Sequence, residues 1–76
     1  MKYKDIRVGM KVKYIGWDPE VEAIVRTIRT QSDIGIEFLA GSTHPPGHSL
    51  DGCITSSRGW WVLPSSLEEI ATDWDD

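Results

Sequence analysis

Between Val8 and Ile15 the residues Met10, Val12 and Tyr14 alternate with Lys11 and Lys13, the period-two pattern of a strand with one buried face. Gly16-Trp17-Asp18-Pro19 supplies the turn that ends it, glycine tolerating positive φ and proline fixing its own. Glu20 to Thr30 predicts a second strand. Val21, Ala23 and Val25 share one parity and Ile24 and Ile28 the other, so the segment is expected to bulge or coil near Val25–Thr27. A helix is the competing reading, because Val21, Ile24, Val25 and Ile28 also fit a 3.6 period; the β-branched residues, Thr27 and Thr30 among them, favour the strand. After the polar turn Gln31-Ser32-Asp33, the residues Ile34, Ile36 and Phe38 alternate with Gly35 and Glu37 in the clearest strand of the chain. From Ala40 to Gly59 periodicity disappears among Gly41, Pro45, Pro46, Gly47, Gly52 and Gly59, and a loop of that length in so short a chain is expected to be functional or disordered. Trp60-Trp61-Val62-Leu63 is a short apolar strand stopped by Pro64. Two overlapping Ser-x-x-Glu capping boxes in Ser65-Ser66-Leu67-Glu68-Glu69 predict one helical turn, of α or 3-10 type, that delivers Leu67 and Ile70 to the core.

Short strands separated by Gly and Pro turns predict an all-β fold. Five strands, a long irregular loop and a short C-terminal helical turn specify it further as a small SH3-like antiparallel barrel, with an OB-type barrel as the alternative. Residues 1–70 form the single domain in this reading, and 71–76 an acidic tail on which Trp74 has the option of docking.

A chain of 76 residues buries a thin core, which makes homo-oligomerisation an expected means of covering more apolar surface. With 39% hydrophobic and 26% charged residues the composition is that of a globular domain. Eight Lys and Arg against twelve Asp and Glu give a net charge of −4, which disfavours a nucleic-acid polymer as partner, although a small anionic ligand remains compatible. Five of the eight basic residues precede Tyr14, while Glu68, Glu69, Asp73, Asp75 and Asp76 crowd the other end, a split expected to give two weakly attracting solvated ends. No apolar run approaches the roughly 18 residues of a membrane span, and no signal-peptide pattern opens the chain, so a cytoplasmic location is expected. Cys53 is the single cysteine, in keeping with a reducing compartment. The size leaves little room for a pocket with its supporting shell, so binding without catalysis is expected.

Candidate chemistry concentrates around the long loop. Trp60 and Trp61 are adjacent and must face opposite sides of their strand; the one left exposed suits stacking on a purine or packing on a proline-rich peptide, unless an interface or the loop covers it. Trp17 either forms a second wall of such a site or caps the barrel end. Arg58 is the only Lys or Arg beyond Arg29, and its planar fork could grip a phosphate with help from nearby backbone N–H groups, or pair with the acidic tail. Ser42 and Thr43 add hydroxyl donors beside Gly41. His44, His48 and Cys53 match no standard zinc spacing and offer only three ligands, so no metal is expected; the histidines fit loop hydrogen bonding or contact with a ligand base or phosphate. Cys53 with His48 as base lacks a recognisable orienting group or oxyanion hole, so no catalytic residue is assigned and no cofactor is implied.

Several of these segments also carry a family resemblance. Ile6-Arg7-Val8-Gly9-Met10-Lys11-Val12-Lys13-Tyr14, Ile34-Gly35-Ile36-Glu37-Phe38, and above all Gly47-His48-Ser49-Leu50-Asp51-Gly52-Cys53 followed by Arg58-Gly59-Trp60-Trp61-Val62, resemble small phage-encoded SH3-like barrels. Those barrels commonly carry a Gly-His-x-x-x-Gly loop and then Gly-Trp-aromatic-Val, ending in a Leu-Glu turn, the place occupied here by Leu67-Glu68-Glu69-Ile70. Phages use compact oligomers of this size as sponges that sequester cyclic-nucleotide alarm signals of host defence. The resemblance thus implies a binder without turnover. Joined to the candidates above, it gives the reading of a homo-oligomer that binds a small nucleotide, with Trp60 or Trp61 stacking, Arg58 on phosphate, the 41–53 loop as lid, and Ser42, Thr43, His44, His48 and Trp17 around the ligand. Barrels of this appearance also serve as peptide-binding adaptors, which is the alternative function.

Overall fold

In the computed structural model, which describes residues 1–70, the alternating segments become five strands: β1 (Lys11–Tyr14), β2 (Val21–Thr30), β3 (Asp33–Phe38), β4 (Gly59–Val62) and β5 (Leu67–Glu69). They pair antiparallel in one sheet of order β4-β3-β2-β1-β5. β4 and β5 are its edges and do not pair with each other, so among the described residues the sheet is open. The all-β expectation is met, and helical content among the described residues is limited to 3-10 turns at Tyr3–Asp5, Leu50–Gly52 and Pro64–Ser66. No helix among these residues is long and apolar enough to cross a membrane. The acidic segment 71–76, with the suggested docking of Trp74, lies outside the described residues.

The alternation selects one face of the sheet for burial. Val12 of β1, Val21, Ala23 and Val25 of β2, Ile34, Ile36 and Phe38 of β3, Val62 of β4 and Leu67 of β5 are buried together with Ile6. The parity switch in β2 is a bulge: Val25 pairs with Ile36 but Thr27 pairs with Gly35, so Arg26 has no opposite number. One inserted residue carries the apolar parity from odd to even positions and lets Ile28 pack against the core.

At the end of the domain the expected helical turn forms as a 3-10 turn, but earlier and shorter than the capping boxes place it. The 3-10 turn Pro64–Ser66 forms without a side-chain cap, and Leu67–Glu69 then runs as β5 beside β1, Tyr14 opposite Leu67 and Val12 opposite Glu69. Backbone partners explain the change. The Ile15 N–H donates to the Ser66 carbonyl, and the Met1 ammonium donates to the carbonyls of Pro64 (3.1 Å) and Leu67 (2.7 Å). Long-range partners thus satisfy groups that a helical turn would have satisfied locally, and the capping boxes go unused. Leu67 still reaches the core, whereas Ile70 is only half-buried.

The segment between β3 and β4 is structured. The His48 N–H donates to the Gly59 carbonyl (2.9 Å) and the Gly59 N–H to the His48 carbonyl (2.7 Å), an isolated bridge that places His48 outside the β4 edge. The turn at Leu50–Gly52 then folds back over the face of β3 and β4 that is turned away from the core.

Candidate functional site

Strand parity separates the two neighbouring tryptophans, as adjacency requires. Trp60 pairs with Ile36 and packs against the core; Trp61 pairs with Gly35 and lies on the outer face. Both are half-buried. His48, set beside β4 by its bridge to Gly59, lies with its imidazole stacked near Trp60, centroids 6.2 Å apart and planes 24° from parallel. The Leu50 N–H donates to His48 Nδ1 at 3.1 Å. In the neutral ring this fixes the proton on Nε2. The pair therefore offers a planar aromatic surface with one N–H donor, on an exposed histidine at the sheet edge.

On the outer face the Arg29 guanidinium lies 4.2 Å from the centre of the Trp61 ring, a cation–π contact. It also donates to Asp51 (2.8 Å) and Asp33 (3.4 Å). Leu50 is completely buried here, away from the main core. A Cβ placed on Gly35 would stand 2.6 Å from Thr27 Cγ2, 3.0 Å from Trp61 Cζ3 and 3.2 Å from Leu50 Cδ1, so the missing side chain is what lets these groups meet.

Arg58 is occupied by its own chain. Its Nε donates to the Phe38 carbonyl at 2.8 Å and its Nη2 to Glu37 Oε2 at 3.3 Å. The same carboxylate accepts from Ser56 Oγ (2.6 Å) and, through Oε1, from Arg26 Nε (2.8 Å). The Ser56 hydroxyl, opposed by desolvation and helped by Arg26 and then Arg58, holds the Glu37 carboxyl below its ordinary value. Glu37 is thus a charged hub that ties the loop before β4 to β2 and β3. The fork expected to meet a phosphate closes this hub, and the charged partner of Arg58 among the described residues is Glu37; the acidic tail 71–76, its other expected partner, lies outside the described residues.

The remaining candidates are scattered. His44 stacks on Phe38 (4.9 Å, 14°) and its Nδ1–H donates to the Pro45 carbonyl at 2.8 Å. The Ser42 hydroxyl donates to the Leu39 carbonyl. Ser42 and Thr43 line a shallow, open groove of about 370 Å³ with Pro19, Glu20, Glu22 and Leu39, whose charged side chains are acidic. Trp17 is exposed in the β1–β2 connection and does not line that groove. Cys53 is an exposed free thiol, and no group of three His, Cys, Asp or Glu side chains suited to a metal converges among the described residues.

Of the eight residues singled out from sequence, the structure therefore brings His48 and Trp60 together and distributes the others. Sequence reasoning passes over Arg29, Glu37, Leu50 and Asp51. The available signal is Gly35, a glycine inside an otherwise regular strand, which marks close approach of another group. Compared with protein-family models, curated proteins and solved structures, the chain matches none.

Proposed function

We propose that this protein is a non-enzymatic binding module that holds a small nucleotide, cyclic in form, against the His48–Trp60 pair. The observation that carries the proposal is the stacked imidazole and indole at the sheet edge, with the histidine tautomer set by the Leu50 N–H. A base would extend the stack and His48 Nε2–H would donate to phosphate or base. Arg58 contributes by positioning the loop through Glu37, and by general positive potential, in place of a direct grip. The SH3-like reading accompanies this function. It is supported by the order β4-β3-β2-β1-β5 and by the 3-10 turn between the last two strands, closure into a barrel being part of the proposal.

With the phage resemblance, the biological role is sequestration of a cyclic-nucleotide immune signal in the infected bacterial cytoplasm, counteracting anti-phage defence. An edge platform of this size covers one side of a nucleotide, so a homo-oligomer in which a second copy covers the other side belongs to the same proposal. The adaptor reading draws on a different feature, the groove with Leu39 and Pro19 beside Glu20 and Glu22, which suits an apolar or basic peptide better than an anion.

Calorimetric titration with a panel of cyclic di- and trinucleotides separates the two. Nucleotide binding should weaken by about 5–150-fold, the equivalent of one stacked base, in His48→Ala and in Trp60→Leu. Trp61→Leu should bind normally and lose stability instead. No binding by wild type, or equal affinity in all three variants, would remove the proposed site.

A further inference from the structure

Leu50 is buried in a slot on the outer face, apart from the main core. The slot exists because Gly35 and Gly59 lack side chains, a Cβ on Gly59 falling 2.5 Å from Leu50 Cγ. The backbone that delivers it is strained at Leu50: Leu50 and Asp51 have φ of +53° and +55°, a left-handed conformation disfavoured for leucine and tolerated by aspartate, and Gly52 follows at +94°. The polar anchor is an Arg29–Asp51 ion pair at 2.8 Å whose side chains are 51% and 72% exposed, so solvent competes for it. The buried Leu50, the half-buried Ile54, the Leu50 N–H on His48 Nδ1, a strained turn and a solvated ion pair together hold a segment whose two ends are fastened by the His48–Gly59 bridge and by Ser56 on Glu37.

We propose that Ser49–Thr55 is a releasable strap, which leaves the outer face of β3 and β4 as a unit while the five-stranded sheet stays folded. Release relaxes Leu50 and Asp51 to ordinary backbone conformations and frees Arg29 from Asp51. It opens the slot over Gly35 and Gly59, bounded by the Trp61 indole and the Arg29 guanidinium. His48 couples the strap to the edge platform, because its Nδ1 holds the Leu50 N–H. The strap stands on packing and backbone geometry alone and does not depend on a nucleotide being the ligand.

Methyl exchange-saturation NMR on the full chain tests it, comparing Leu50 with Val12, Ile34 and Ile36. A minor state should shift the Leu50 methyls and the Thr27 methyl toward solvent-exposed values while the three core residues keep their native shifts. Arg29→Ala, which removes both the ion pair and the cation–π contact, should raise the population of that state about fivefold. Exchange of Leu50 and Ile36 with one common population and rate would show that the strap opens only with the whole domain, and would overturn the proposal. Absence of a Leu50 minor state in both wild type and Arg29→Ala would overturn it as well.

Discussion

Gly59 occupies a point where β3, the His48 bridge and Leu50 meet, and its replacement by alanine measures how firmly the loop is built into the domain. The added methyl would lie 2.5 Å from the His48 carbonyl oxygen, 2.5 Å from Leu50 Cγ and 2.9 Å from Leu50 Cδ2. Relief requires Leu50 to leave its slot or the His48–Gly59 pair to open. Expelling a fully buried leucine costs about 1.5–3 kcal/mol. Losing the two backbone hydrogen bonds costs about 1 kcal/mol each. A loss of about 2–4 kcal/mol is therefore expected, and since each kcal/mol moves Tm by about 4–8 °C in a domain of this size, Tm should fall by about 8–32 °C. Circular dichroism during heating, with urea unfolding in parallel, reads it. Gly41→Ala is the control: its φ is positive, but its Cβ would meet nothing within 4 Å, so only the conformational cost of about 1–2 kcal/mol applies. In a Leu50→Ala background the Gly59→Ala loss should shrink, because part of the clash is gone. A Gly59→Ala loss no larger than that of Gly41→Ala, with no coupling to Leu50, would refute the packing described for the outer face.

Two further outcomes follow from the charge hub and from the thin core. Because the folded-state pKa of Glu37 is depressed, its contribution is complete above the ordinary carboxylate value and lost as pH falls through the depressed one; Glu37→Gln should lower stability at neutral pH and flatten the acid limb, as urea midpoints between about pH 3 and pH 7 would record. Sedimentation at micromolar concentration should give a dimer or larger closed oligomer, and a monomer with and without nucleotide would favour the adaptor.

The strands are legible in the sequence where apolar and polar or small residues alternate. Alternation at Met10–Tyr14 and Ile34–Phe38 states which side chains turn inward, and the parity change within β2 is itself the signature of the bulge at Arg26. The C-terminal signal announces a helical turn but not its extent, because Ser-x-x-Glu is a local signal, whereas Leu67–Glu69 obtains its hydrogen bonds from β1, near the other end of the chain. Site residues are harder still. Arg58 looks available because no acidic residue follows it closely; Glu37, its partner, lies twenty-one residues earlier and meets it only after β3 and β4 pair. Leu50 reads as loop filler among glycines and prolines. Its role depends on the gaps at Gly35 and Gly59, which come from two different strands, and pattern reading along one dimension does not join them.

The most direct test of the binding account is recovery of the ligand. Purified protein should be mixed with a cyclic di- or trinucleotide that it binds, freed of unbound nucleotide, heated to denaturation, and the released material identified by mass spectrometry. The account predicts the same nucleotide, intact and in fixed ratio to protein, with little carried by His48→Ala. Cleaved or modified nucleotide would contradict binding without turnover, and no retained nucleotide from any member of the panel would contradict the nucleotide reading altogether.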